Sequence, residues 1–118
     1  MIRHSCFALL FAALPVLAEE PVIENVSARQ SGDDTWRFDV TISHPDTGWD
    51  HYADGWRVLD MDGNELGMRV LFHPHVDEQP FTRSLSGVRI PDGTTQVQIQ
   101  ARDLPAGWNA SSVIYQLP

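Results

Sequence analysis

Residues Thr35–Ser43 read TWRFDVTIS, and their alternation decides the fold class. Trp36, Phe38, Val40 and Ile42 fall on one face; Arg37, Asp39 and Thr41 fall on the other. Successive side chains of a strand point to opposite faces, so this is a strand with one side on a core and one in water. Antiparallel sheets allow that arrangement, whereas parallel strands are covered on both faces.

Working outward, residues 21–28 (PVIENVSA) form a candidate first strand, with Val22 and Val26 in phase, and Ser31-Gly32-Asp33-Asp34 a turn cluster. Downstream, His44-Pro45-Asp46-Thr47-Gly48 is loop-like. A third strand is expected from Trp49 or His51 to Asp60, and a fourth from Asn64 to Phe72. Residues 81–90 contain a fifth and residues 95–102 alternate Val97, Ile99 and Ala101 against glutamines. A loop follows over 103–109, and residues 111–117 close the chain. Helical period is sustained nowhere over three turns. Six to seven short strands with turns about every 8–12 residues predict an all-β antiparallel sandwich of immunoglobulin-like or fibronectin type III-like size. Such a fold carries no function with it.

Asp62-Gly63 between the third and fourth strands is a strong hairpin signal. A two-residue turn would pair Val58 with Gly67 and Trp56 with Arg69, which splits the apolar residues between faces. A three-residue loop with Gly63 in the left-handed conformation pairs Asp60 with Asn64. It then sets Val58 opposite Leu66, Trp56 opposite Met68 and Tyr52 opposite Phe72. Since a slip of one residue inverts every side chain, the apolar pattern selects the second register. Trp36 and Trp56 both point inward in it.

The N-terminus has a separate character. Arg3 and His4 precede an apolar run over residues 6–17, and small residues lead to Glu19-Glu20. This predicts a cleaved secretory leader over residues 1–18 and a single exported domain over 19–118, periplasmic or secreted. The run is short for a membrane span, so no span is expected in the mature chain. Without the leader the chain has seven arginines, no lysine and 16 acidic residues, a net charge of −9. Phosphate backbones would be repelled, which argues against nucleic-acid partners. The one cysteine, Cys6, lies in the leader, so the core must hold without a disulfide.

Four histidines lie outside the leader. In the chosen register His51 sits opposite His73, with His75 two residues further along the same face. Directly paired strand residues hold their Cβ atoms about 4.5–5.5 Å apart, close enough for two imidazoles to share an ion. His44 or Asp50 could supply a further ligand. With nitrogen ligands and no thiolate, zinc or copper is the natural occupant. Asp60-Met61-Asp62-Gly63-Asn64-Glu65 is not a calcium loop, because glycine is fourth and not sixth. Ser84, Ser86, Ser111 and Ser112 lack the glycine elbow of a hydrolase, and no catalytic constellation is visible. Trp49 and Trp108 are flanked by glycines in expected loops, where an aromatic either plugs the core edge or anchors a partner. Arg83 is a candidate contact beside them, since interface anchors are enriched in Trp, Tyr and Arg.

Residues 49–56 (WDHYADGW) and 73–85 (HPHVDEQPFTRSL) resemble small exported bacterial proteins of uncharacterised function. The resemblance runs over nearly the whole mature chain. It implies export and a compact domain, not a mechanism. The sequence therefore predicts a non-catalytic binding or interaction module of the cell envelope. The alternative is a copper- or zinc-binding protein using His51, His73, His75 and His44.

Overall fold

A computed structural model describes residues 19–118. The expected leader, residues 1–18, lies outside the described residues. Eight strands follow in order: β1 (Val22–Gln30), β2 (Thr35–Ser43), β3 (Tyr52–Leu59), β4 (Glu65–Val70), β5 (Phe81–Arg89), β6 (Gln96–Leu104), β7 (Gly107–Trp108) and β8 (Val113–Gln116). They form two antiparallel sheets. One has the order β1-β2-β5; the other runs β4-β3-β6-β7, with β8 also paired to β6. The described residues are all-β, as their alternation requires.

The sheets face each other across one apolar layer. Phe38, Val40 and Ile42 of β2 meet Trp56 and Val58 of β3 and Val97, Ile99 and Ala101 of β6. Trp56 is fully buried, whereas Trp36 packs against the rim of the core. Each large apolar side chain taken wholly from water contributes about 1.5–3 kcal/mol, so these strands can hold a fold that lacks a disulfide. Tyr115 of β8 closes the far side: its ring meets Phe38 edge-on at 6.3 Å, and its hydroxyl accepts the Ala28 N–H of β1 at 3.1 Å.

The number of strands exceeds the six to seven expected because the expected loop over 103–109 contains a short one. Trp108 belongs to the short strand β7, paired with Arg102, and not to a loop. After it the chain leaves the sheet and returns as β8.

The β3–β4 hairpin corrects the predicted register in an instructive way. The loop itself is the three-residue one. Asp60 N–H bonds Asn64 C=O at 2.9 Å, and Gly63 has φ +88°. The Asp60 carboxylate accepts the N–H groups of Asp62 and Asn64, which locks the turn. One residue later, however, β4 bulges. Leu59 pairs with Glu65 but Val58 pairs with Gly67, so Leu66 is extra. The bulge turns β4 over. Gly67 now faces inward, where a Cβ would lie 3.1 Å from Leu85 and 3.2 Å from Val88. Leu71 is buried, while Val70 and Phe72, both expected inside, stand 43% and 71% exposed.

Similar one-residue bulges interrupt other pairings. Glu24 is extra on β1, Asp54 is extra on β3 against β6, and β5 carries an added residue opposite β2 near Gly87, whose φ is +70°. At one end of the sandwich the loops 44–51 and 71–80 meet the tip of β6. The buried polar side chains gather there.

Candidate functional site

At this end, β2 runs out at Ser43 and the chain turns sharply, with Asp46 N–H bonded to His44 C=O at 2.8 Å. It then forms a small closed loop: Thr47 N–H bonds His51 C=O, and His51 N–H bonds Gly48 C=O, before β3 begins. His44 is pinned from the other loop as well, its N–H donating to the Gln79 side chain at 3.0 Å. Pro45 and these bonds fold His44 and Asp46 back under the loop, where both are buried.

A buried ionisable group must find partners, because unpaired burial costs several kcal/mol. His44 finds two. Its Nδ1 lies 2.5 Å from Oδ1 of Asp46, and its Nε2 lies 3.2 Å from Oδ2 of Asp103. Asp46 is itself held by the main chain: Ala53 N–H donates to Oδ1 at 2.9 Å and His75 N–H to Oδ2 at 2.8 Å. His51 completes the group. Its Nε2 lies 3.5 Å from the same Oδ2 of Asp103, and its ring meets that of His44 edge-on at 4.8 Å. His44, His51 and Asp103 thus each offer a ligand atom within 4.8 Å of the others.

The sequence expected His51 to face His73, and the bulge in β4 prevents it. Pairing between β3 and β4 ends at Gly55 and Val70, and the chain beyond Leu71 turns away. The neighbour that reaches the start of β3 is β6, with Tyr52 opposite Leu104 and Ala53 opposite Asp103. The four candidate histidines therefore divide into two pairs. His44 and His51 converge on Asp103. His73 and His75 lie against each other at 4.5 Å with their rings tilted by 38°, and His75 lies flat on Phe81 at 3.8 Å.

Asp103 was absent from the expected ligands, yet the sequence carries a sign of it. It falls in phase with Val97, Ile99 and Ala101, and that phase is the buried one. A carboxylate on the core face of a strand demands a partner.

His75 has a different environment. Arg83 donates to its Nε2 at 2.8 Å, so that nitrogen is an acceptor and the ring is neutral. Burial pushes its protonation below the ordinary histidine range, and the nearby charges of Arg83 and His73 act in the same direction, against Asp46 and Glu78. Arg83 is accordingly engaged with His75 and with Thr82 C=O, not held free.

The two loop tryptophans differ. Trp49 is 67% exposed and touches Tyr52 edge-on. Trp108 lies under Arg57, whose guanidinium is 3.8 Å from the ring centroid, with Arg102 at 5.1 Å. Arg57 is fixed by Gln100 and Arg102 by Asp54. One face of the Trp108 ring is therefore covered by this chain's own cation.

No family model matches the chain. No solved structure matches it either. A protein of Halomicrobium mukohataei with the name "Putative lipoprotein" is 36% identical over 95 residues, which is 80% of this chain. The matched region is 46% of that relative, so the chain spans about half the length of the relative it matches.

Proposed function

We propose that the chain is a non-catalytic exported module of the cell envelope that holds a protein partner through the loop end of the sandwich. The observation that carries this reading is the exposure of Trp49 and Phe72, 67% and 71% respectively, on loops that leave β3 and β4 at the same end. Trp49 lies three residues before β3, and Phe72 follows Leu71, whose N–H bonds Asp54 C=O of β3. Large aromatics left in water on anchored loops are the residue types that dominate binding energy at interfaces. Beneath them, the bonds of His44, Asp46 and Gln79 keep the loops in one conformation, which limits the ordering cost of association.

Export is supported by the apolar segment before Glu19 and by the name of the relative, "Putative lipoprotein", which fits the envelope. The strand order supports an immunoglobulin-like reading: β3, β6 and the terminal strands share one sheet while β1, β2 and β5 share the other, as strands C, F, G and A, B, E do. The acidic balance disfavours nucleic acid as the partner.

The test is crosslinked capture from an envelope extract of the source organism, with the native chain and a Trp49→Ala/Phe72→Ala variant. The native chain should enrich a defined protein that the folded variant loses. Equal capture by both, or none above background by the native chain, overturns the reading.

A further inference from the structure

We propose that His44, His51 and Asp103 form a binding site for one divalent transition-metal ion of the zinc class. This goes beyond partner binding and stands on different residues. In a tetrahedral site with metal–nitrogen and metal–oxygen bonds of about 2.0–2.1 Å, neighbouring ligand atoms are separated by about 3.3–3.4 Å. Asp103 Oδ2 lies 3.2 Å from Nε2 of His44 and 3.5 Å from Nε2 of His51. Two edges of the polyhedron are thus already at the right length. All three ligand atoms are within 4.8 Å, and His51, the least buried of the three, is the one able to close the last edge.

Three further features point to an ion rather than a hydrogen-bonded knot. First, Nε2 of His51 is shielded from solvent yet has no hydrogen-bond partner, although it is directed at the Asp103 carboxylate. Buried polar atoms are rarely left so, and a metal ligand is one resolution. Second, Asp46 stands behind His44 with Oδ1 at 2.5 Å from Nδ1, placed to accept a hydrogen bond from Nδ1–H and so leave Nε2 free for an ion. A carboxylate behind the ring is the usual support of a metal-binding imidazole, fixing its tautomer and raising its basicity. Here that support is anchored in turn by two main-chain N–H groups.

Third, Asp46 and Asp103 are both buried, and among the described residues the side chains that meet their carboxyl oxygens are imidazoles, with no arginine beside them. Two nitrogens and one carboxylate oxygen suit zinc, with a fourth position on the solvent side, where His51 is 25% exposed. The ligands also come from both halves of the fold. His44 extends β2 of one sheet, while His51 and Asp103 belong with β3 and β6 of the other. An ion held here would clip the two sheets together.

The experiment is zinc titration by calorimetry of the chelator-treated chain, beside His51→Ala and His73→Ala. The native chain should take up one zinc with Kd below about 10 µM. His51→Ala should bind at least about tenfold more weakly, and His73→Ala should match the native chain. His51 lies at the rim, and circular dichroism of the variant verifies that the sandwich persists. Should His51→Ala not fold, the zinc-induced shift of the native imidazole resonances decides, and it must appear on His44 and His51 and not on His73. Absence of binding tighter than about 10 µM, undiminished binding by folded His51→Ala, or equal loss in His73→Ala overturns the proposal.

Discussion

The carboxylate of Asp46 accepts the main-chain N–H of His75, 29 residues away in sequence, at 2.8 Å. The same carboxylate holds His44 and the N–H of Ala53. One short side chain therefore fastens both loops at this end to the start of β3.

Removing that carboxylate strands three buried donors at once. Asp46→Ala should lower unfolding stability by about 3–5 kcal/mol, the cost of breaking a buried pair from one side. Asp46→Asn keeps an acceptor for His44 and Ala53 but sets an amide against one of the donors, and a smaller loss of about 1–3 kcal/mol is expected. Urea midpoints of the three proteins check the order. A loss under about 1 kcal/mol for the alanine variant would show that the loops do not depend on Asp46.

His75 makes stability depend on pH with a definite sign. Its folded-state protonation is pushed down, first by burial and then by Arg83 and His73. The unfolded chain therefore takes up the proton more readily than the folded one. The contribution is complete above the unfolded value of about 6.5 and is lost as pH falls below it towards the folded value. Unfolding free energy should thus decline between about pH 7 and pH 5 in the native chain. His75→Phe retains a ring on Phe81 and cannot titrate, so its decline over the same window should be shallower. Parallel pH curves for the two proteins would remove His75 as the cause.

The inverted face of β4 yields a pair of neighbouring substitutions with opposite expectations. Leu71 is 2% exposed and Phe72 is 71% exposed. Leu71→Ala should cost about 2–5 kcal/mol through lost burial and the cavity left behind. Phe72→Ala should stay within about 0.5 kcal/mol of the native chain. The reverse order, read from thermal or urea unfolding, is what an unbulged hairpin would produce.

Gly63 tests the turn in isolation from packing. Its φ is +88°, and an added Cβ would meet nothing within 4 Å. The whole cost of Gly63→Ala is then conformational, about 1–2 kcal/mol. Gly63→Asn should cost less, because asparagine visits this region more readily. Equal stability of the two variants would mean that the turn relaxes to another shape.

Legibility in the sequence followed the strength of each local signal. β2 was readable to its end residues, since four apolar side chains alternate without interruption. Asp62-Gly63 announced the turn and its type. Leu66 did not announce the bulge. An apolar residue at that position fits either register, and the crowding by Leu85 and Val88 that a Cβ at position 67 would meet is visible only once β4 and β5 are placed together. The error then propagated outward, placing Phe72 inside and His73 opposite His51. The candidate site was half legible for a related reason. His44 and His51 stood out as residue types, but Asp103 becomes visible only when its phase with Ala101 is followed one step past the apolar run. The pairing of β3 with β6, distant in sequence, brings them together.

The bulges have a consequence for how the chain behaves at high concentration. A free strand edge is a template for another molecule's backbone, and proteins protect it with irregularity, brevity or lysine. This chain has no lysine. Among the described residues, its edge strands β1, β4 and β5 each carry an added residue, while β7 and β8 are two and four residues long. Each bulge bends and twists the backbone out of line. The bulges thus break the free edges of the sheets into shorter ladders, a guard against pairing with a second copy that lies in the backbone rather than in lysine side chains.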